Sequence, residues 1–444
     1  MSTAGGDGGT DAVAEPVGSA RELAERAVTD AHRREWAFVL AATARVAGDF
    51  DLAEECVQDA YVAALGAWAR DGVPGKPGAW LTATAKRKAL DVLRRDRVFR
   101  SKMPLLVEPD EAEMDEAEED AVPDDRLRLI FTCCHPALAT DAQVALTLRL
   151  VCGVSTGDIA HAFLVSEPTM AARVTRAKKK ISAARIPYRV PGASELPERL
   201  DAVLSVIHLL YTTGHTAPSG TDLVRADLVD RALHLTRMLL ALMPDEPEVR
   251  GLLALLLVTD ARRATRTDAE GRLLVLEDQD RSAWDRAAID EGRRLVVDAF
   301  RTGRVGRYAL QAAIASLHAE ARSYATTDWR QVLGLYDELR KVWPSPVVAL
   351  NRAVAVSMVR GPDAALGEIE ILERDGRLAG YRYLPAVRAD LLRRLGRHRE
   401  AATAYRAALD LAENDAERTF LATRLAEAVK SGAVDSGSDR SSEG

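Results

Sequence analysis

Residues 155–181 read STGDIAHAFLVSEPTMAARVTRAKKKI, and the chemistry their types and spacing suit is recognition of duplex DNA. Met170, Val174, Ala177 and Ile181 recur at helical spacing and form one narrow apolar stripe. The other arc carries Pro168, Ala172, Thr175, Arg176 and Lys179, small, hydroxyl-bearing and cationic residues of the kind that reach base edges and phosphates. Upstream, Ser155 and Asp158 stand at capping-box spacing, a short helix would bury Ile159, Ala160 and Phe163, and Ser166 would cap the next helix. Two short helices so placed fit a helix-turn-helix, whose second helix lies in the major groove. The plainer alternative is a solvated basic helix in an all-helical protein.

A second constellation lies upstream. On a helix over residues 51–68, Leu52, Cys56, Ala60 and Ala63 form the expected core stripe. Glu54, Glu55, Gln58 and Asp59 gather opposite, with Val62 and Leu65 among them, and an acidic face interrupted by exposed aliphatics suits a protein partner. After the loop RDGVPGKPG at residues 70–78, a helix over 79–95 buries Leu81, Ala85, Ala89 and Val92. Trp80 shares the other arc with Thr84, Arg87, Asp91, Arg94 and Arg95. A tryptophan beside a row of arginines offers an unstacked base a flat surface and the phosphates their cations, as single-stranded DNA requires. The alternative is that Trp80 folds back onto the preceding helix as core.

The elements that must position these residues are helices. Hydrophobic residues make up 47% of the 444-residue chain and aromatics only 5%, and with few β-branched runs the fold class is all-α in several domains. The formal net charge of -7 hides strong local asymmetry. Residues 86–102 hold eight basic and two acidic side chains, residues 173–189 seven basic and none acidic, and residues 108–125 eleven acidic and none basic. Two basic patches therefore flank an acidic linker. Four cysteines without paired spacing indicate a reducing compartment. The N-terminus lacks the basic start and apolar core of a signal peptide, and the longest apolar run, 252–258, is too short to span a bilayer. The expected setting is cytoplasmic, with no membrane partner.

Residues 1–30 and 431–444, rich in Gly, Ser and Asp, are expected to be disordered. Between them the reading places a first helical block at 31–103, a flexible acidic tether at 104–124, a second block at 125–191 and a long series of amphipathic helices at 192–430.

Taken in order, AEECVQDAYVAALGAW, a Gly/Pro loop, PGAWLTATAKRKALDVLRR, an acidic linker and a helix-turn-helix ending in TRAKKKI resemble the extracytoplasmic-function sigma factors of bacterial RNA polymerase. Residues 35–102 look like sigma region 2 and 125–190 like region 4; the extension resembles the tetratricopeptide-related one of a subgroup. The resemblance implies that Glu54, Glu55, Gln58, Asp59 and Val62 contact the clamp helices of the polymerase's largest subunit. It implies that the 70–77 loop with Trp80, Thr84, Arg87, Lys88, Arg94 and Arg95 melts and holds the -10 element. Pro168, Thr169, Ala171, Ala172, Arg173, Thr175, Arg176 and Lys179 would read the -35 element. Two positions depart from the pattern: Leu164 stands where the turn often has glycine, and Arg87 where the family commonly has Asn.

In the extension, Gly396, Ala401, Tyr405, Ala408 and Leu409 fall at tetratricopeptide offsets, and Gly361 lies 35 residues before Gly396. Such helix pairs must stack to bury their faces, forming an α-solenoid whose concave surface suits an unidentified protein or small-molecule signal, unless it is only a spacer. Upstream helices show no clear period. Cys133, Cys134 and His135 lack the ligand spacing of a zinc site and read as a buried pair at a helix end, so no metal or cofactor is expected. The segment LEDQDRSAWD, 276–285, clusters Glu277, Asp278, Asp280 and Asp285 around Arg281 and Trp284; with no nucleophile or phosphate loop nearby, it reads as a salt-bridged loop. The expectation is thus not an enzyme but a sigma factor that binds core polymerase and promoter DNA, its helical extension regulating it in cis. Two alternatives remain: a helix-turn-helix regulator whose repeat domain senses a signal, and a ligand-processing enzyme with a DNA-binding appendage.

Overall fold

The structure is a computed structural model that describes residues 20–102, 125–163, 165–217, 219–221 and 223–439. Leu164 and the acidic tether lie outside the described residues, as do residues 1–19. The chain forms two compact units, Met1–Val203 and Leu204–Gly444.

The first unit opens with three helices, α1 (Ala20–Ala47), α2 (Phe50–Asp71) and α3 (Pro77–Lys102). Helix α1 begins well inside the segment expected to be disordered, because Ala24 and Ala31 are buried and Arg21 pairs with Glu25 one turn away at 3.1 Å. Asp49 caps α2, accepting from the Leu52 amide at 2.8 Å, and Gly72 ends it at φ +84°, a conformation that favours glycine. The inward face of α2 is Ala53, Cys56, Val57, Ala60, Ala64 and Trp68, while Ala63 is exposed and Leu52 half-buried. The stripe runs one position off the expected one, since two helices, α1 and α3, cover α2 and widen its buried arc.

The second block holds α4 (Asp125–Cys133), α5 (Thr140–Leu146) continuing into a π turn (Thr147–Val151), α6 (Thr156–Ala162) and α7 (Glu167–Ala183). Met170, Val174, Ala177 and Ile181 are all buried, as their spacing predicts. Ser155 and Asp158 form the expected capping contacts, Oγ to carboxylate at 2.6 Å and amide to Oγ at 3.0 Å. Ser166 caps α7 through the Thr169 amide. Phe163 is only half-buried. Gly153, at φ +66°, sits where an added Cβ would meet the Trp36 ring at 2.9 Å, and the Trp36 indole donates to the Leu150 carbonyl at 3.0 Å. Trp36 thereby ties α1 to the second block.

Helix α8 (Leu196–His215) carries the boundary between the units, later than the expected start at 192. Then follow α9 (Ala226–Leu242), α10 (Pro247–Asp260), α11 (Arg286–Arg301), α12 (Arg307–Glu320), α13 (Trp329–Val342), α14 (Pro346–Arg360), α15 (Pro362–Asp375), α16 (Tyr383–Arg394), α17 (His398–Leu411) and α18 (Asp415–Asp439). From α12 on, each helix packs on the next in sequence, and α14 also meets α16, the stacking of a helical repeat. Gly361 and Gly396 turn the α14–α15 and α16–α17 pairs at φ +92° and +73°. Ala401, Tyr405 and Ala408 are buried between neighbours; Leu409 is half-buried. Arg352 joins three helices, 2.7 Å from Asp337 and 2.6 Å from Glu368. Helix α18 runs through residues expected to be a disordered tail. A two-residue parallel pairing, Ser219–Gly220 with Glu413–Asn414, supplies the strands of this all-α chain among the described residues.

Candidate nucleic-acid and polymerase interface

The cap at Ser166 starts α7 with its apolar stripe turned inward, and the opposite arc follows from that. Pro168, Thr169, Ala171, Ala172, Thr175, Arg176 and Lys179 are all exposed. Arg176 and Lys179 form no ion pair among the described residues, so a phosphate or base edge meets no internal competitor there. Arg173 departs from the expectation: it is half-buried and lies 3.6 Å from Asp141, because it directly precedes the buried Val174.

The flank of α7 between stripe and arc carries Lys178, which sequence reasoning left unassigned. Its Nζ lies 2.7 Å from Asp51 and 2.8 Å from Glu54, both on α2. Arg149, in the π turn, also pairs with Glu54, and Gln58 donates to the same carboxylate at 3.3 Å. Burial opposes the charge on Lys178, yet hydrogen bonds to Asp51 and Glu54 carry its pKa above the ordinary lysine value. Glu54 is therefore a correction to the expected exposed acidic face. It is 6% exposed because two cations from the second block cover it. Glu55, Gln58 and Asp59 remain exposed, and Val62 and Leu65 project as uncovered aliphatics. Asp59 bonds Lys88 of α3 at 3.0 Å.

On α3, Arg87, Arg94 and Arg95 are exposed and Lys88 is half-buried. Trp80 is half-buried, its ring meeting Trp68 edge-on at 5.7 Å. Part of the Trp80 ring therefore packs on the preceding helix, as the core alternative expects, and part stays accessible. Thr84 is a second correction, being 7% exposed. It lies three residues after Leu81 and directly before Ala85, both fully buried, so it turns under the arc rather than outward.

Cys133 and Cys134 are buried, as the reading of a buried pair expects; burial pushes the Cys134 thiol up to about 12 while its bond to Thr147 works the other way. The loop at 276–285 differs from its expectation. Arg281 pairs with none of the neighbouring carboxylates; it donates to the carbonyls of His318 and Ala321 at the end of α12 and lies over the Trp284 ring at 4.6 Å. The last carbonyls of a helix lack an intrahelical partner, and the Arg281 guanidinium supplies one.

Comparison with known proteins agrees with this layout. Residues 32–98 match Sigma-70 region 2, residues 128–181 match Sigma-70 region 4, and residues 199–300 match a family of unknown function, DUF6596. An uncharacterized protein of Rhizobium meliloti (strain 1021) is 45% identical over 382 residues, covering 85% of this chain and 90% of that one. The crystal structure of the yeast Tom70 aligns over 94% of this chain and 87% of its own, at 15% identity and a TM-score of 0.36, too low to bear on the fold. With two sigma regions in order, each on a helical block of the matching architecture, the chain belongs to the sigma-70 family, as a sigma factor of the extracytoplasmic-function type with a long helical C-terminal extension.

Proposed function

We propose that the protein binds core RNA polymerase through α2, holds the melted -10 element on α3 and reads the -35 element as duplex with α7, without chemistry of its own. It acts in the cytoplasm, beside the polymerase. The observation that carries this is the exposed arc of α7, with Arg176 and Lys179 unpaired among the described residues. Support for the -10 role comes from the half-exposed Trp80 near the start of α3 and the exposed Arg87, Arg94 and Arg95 further along the same helix. Unstacking a base costs a few kcal/mol, so a capture surface for it is needed.

With α7 held on α2, the protein is in a resting state. Polymerase capture by the acidic face of α2 needs Glu54, which Lys178 and Arg149 now occupy. Engagement then requires α7 to leave α2. The helical extension, acting from the same chain at high effective concentration, sets how readily that happens and carries the signal, protein or small molecule.

Two pull-down measurements test the polymerase face. Asp59→Lys weakens recovery of core polymerase, whereas Lys178→Met strengthens it by removing the cation that holds α7 against Glu54. Equal recovery from both variants and wild type rejects the interface. Cis regulation is tested by truncation at residues 191, 244 and 344 with activity read on one target promoter. Activity changes sharply at one cut if the extension regulates; wild-type activity from the shortest folded form removes that role.

A further inference from the structure

Helices α10, α12, α13 and α14 of the second unit enclose a cavity of about 410 Å³, a volume suited to a small organic molecule. Most of its wall is apolar, from Leu255, Val258 and Ile314 to the rings of Trp284 and Trp343. Arg262, just past the end of α10, opens onto it, and no aspartate or glutamate is among its lining residues. The contrast with neighbouring arginines is informative. Arg263 is held by Asp260 and Asp230, both at 2.8 Å, and Arg266 by the His215 carbonyl and the Thr216 hydroxyl. The Arg262 carbonyl accepts from Thr265, but its guanidinium has no hydrogen-bond or ion-pair partner among the described residues.

The surroundings sharpen the imbalance. Burial lowers the Arg262 pKa; the Tyr211 phenol works against this, and the Arg281 guanidinium adds to it. His318, also on the lining, is kept neutral by burial and by Arg262 and Arg281, its pKa pushed down to about 4, and its Nδ1 is buried without a hydrogen-bond partner among the described residues. Gln311 and Asn351 add neutral polar groups to the wall. A largely desolvated guanidinium with no counter-charge is costly unless something pairs with it.

We propose that this cavity binds a small organic carboxylate with an apolar or aromatic body, Arg262 serving as its counter-ion and the tryptophan-lined wall holding the body. A carboxylate matches the guanidinium fork in two parallel hydrogen bonds. A single lining arginine suits one such charge better than a phosphate. The inference rests on this cavity alone and does not depend on how the sigma regions act.

The test is isothermal titration calorimetry on the full-length protein, with hexanoate, benzoate and 1-naphthoate as probes and 1-naphthylmethanol as the neutral counterpart of the last. At least one carboxylate binds saturably, and 1-naphthoate binds about ten-fold or more tighter than the alcohol. Arg262→Met removes that preference, while Arg301→Met, an exposed arginine outside the cavity, leaves it intact. Because Arg262 is an uncompensated charge in the free protein, Arg262→Met melts at the same temperature as wild type or higher, which separates lost binding from lost folding. No saturable binding of any of the three carboxylates at millimolar concentration overturns the proposal. So does equal affinity for acid and alcohol, or a preference that survives Arg262→Met.

Discussion

Lys178 on α7 places its Nζ 2.8 Å from a carboxylate oxygen of Glu54 on α2. One residue thus belongs to the helix that carries the exposed basic arc and the other to the helix that carries the exposed acids Glu55 and Asp59. Their pairing, with Arg149 on the same carboxylate, makes the packing of regions 2 and 4 depend on a small buried charge cluster.

Breaking that cluster has unequal costs on its two sides. Glu54→Ala strands Arg149 beside Lys178 and lowers stability by about 3–5 kcal/mol. Lys178→Met costs less, because Arg149 still faces Glu54. Calorimetric unfolding of the two variants measures the difference. Equal melting of Glu54→Ala and wild type contradicts the burial of the pair.

At the exposed arc, Arg176→Glu with Lys179→Glu removes about 1–3 kcal/mol of duplex affinity per lost contact and adds repulsion. Fold stability is unchanged, since both side chains face solvent. Binding of a -35 duplex by fluorescence anisotropy checks this, and unchanged affinity at moderate salt rejects α7 as the reader.

The two tryptophans in edge-to-face contact separate folding from melting. Trp68 is 3% exposed, and Trp68→Ala costs about 3–5 kcal/mol of stability. Trp80→Ala costs far less, leaves closed complexes intact and reduces open complexes, because stacking on an aromatic is worth about 1–3 kcal/mol only to a base already out of the duplex. Permanganate reactivity of promoter thymines reads open complexes. If Trp80→Ala unfolds like Trp68→Ala, Trp80 is core and nothing more.

Acid acts on the second unit. Burial, with help from Arg307, pushes His208 down to about 4, and burial with Arg262 and Arg281 does the same to His318. Both folded values lie below the unfolded one, so their stabilisation is complete above about pH 6.5 and is lost as pH falls towards 4. Each contributes on the order of 2–3 kcal/mol. Melting temperature followed from pH 7 to 4.5 falls steadily if this is right; a flat profile contradicts it.

Much of this was legible in the sequence because local pattern decided it. The α7 stripe, the caps at Ser155 and Ser166 and the glycine turn at Gly396 are set by residues within a few positions of each other. What escaped was decided across the fold. The inward turn of Lys178 and the burial of Glu54 depend on two helices 124 positions apart, and nothing in either segment alone marks the pairing. Thr84 was misplaced because the width of a buried arc depends on how many neighbours a helix has. The cavity at Arg262 is assembled from α10, α12, α13 and α14, which no local pattern brings together, and an arginine whose side chain has no partner looks, in sequence, like any other arginine.

The most direct test is transcription from fragmented genomic DNA of the source organism by core RNA polymerase, with and without the full-length protein, read by sequencing transcript 5′ ends. The account predicts new start sites that appear only with the protein, each preceded by a shared two-part motif at -35 and -10, and lost with the Arg176→Glu, Lys179→Glu variant. The same start sites with and without the protein would contradict it.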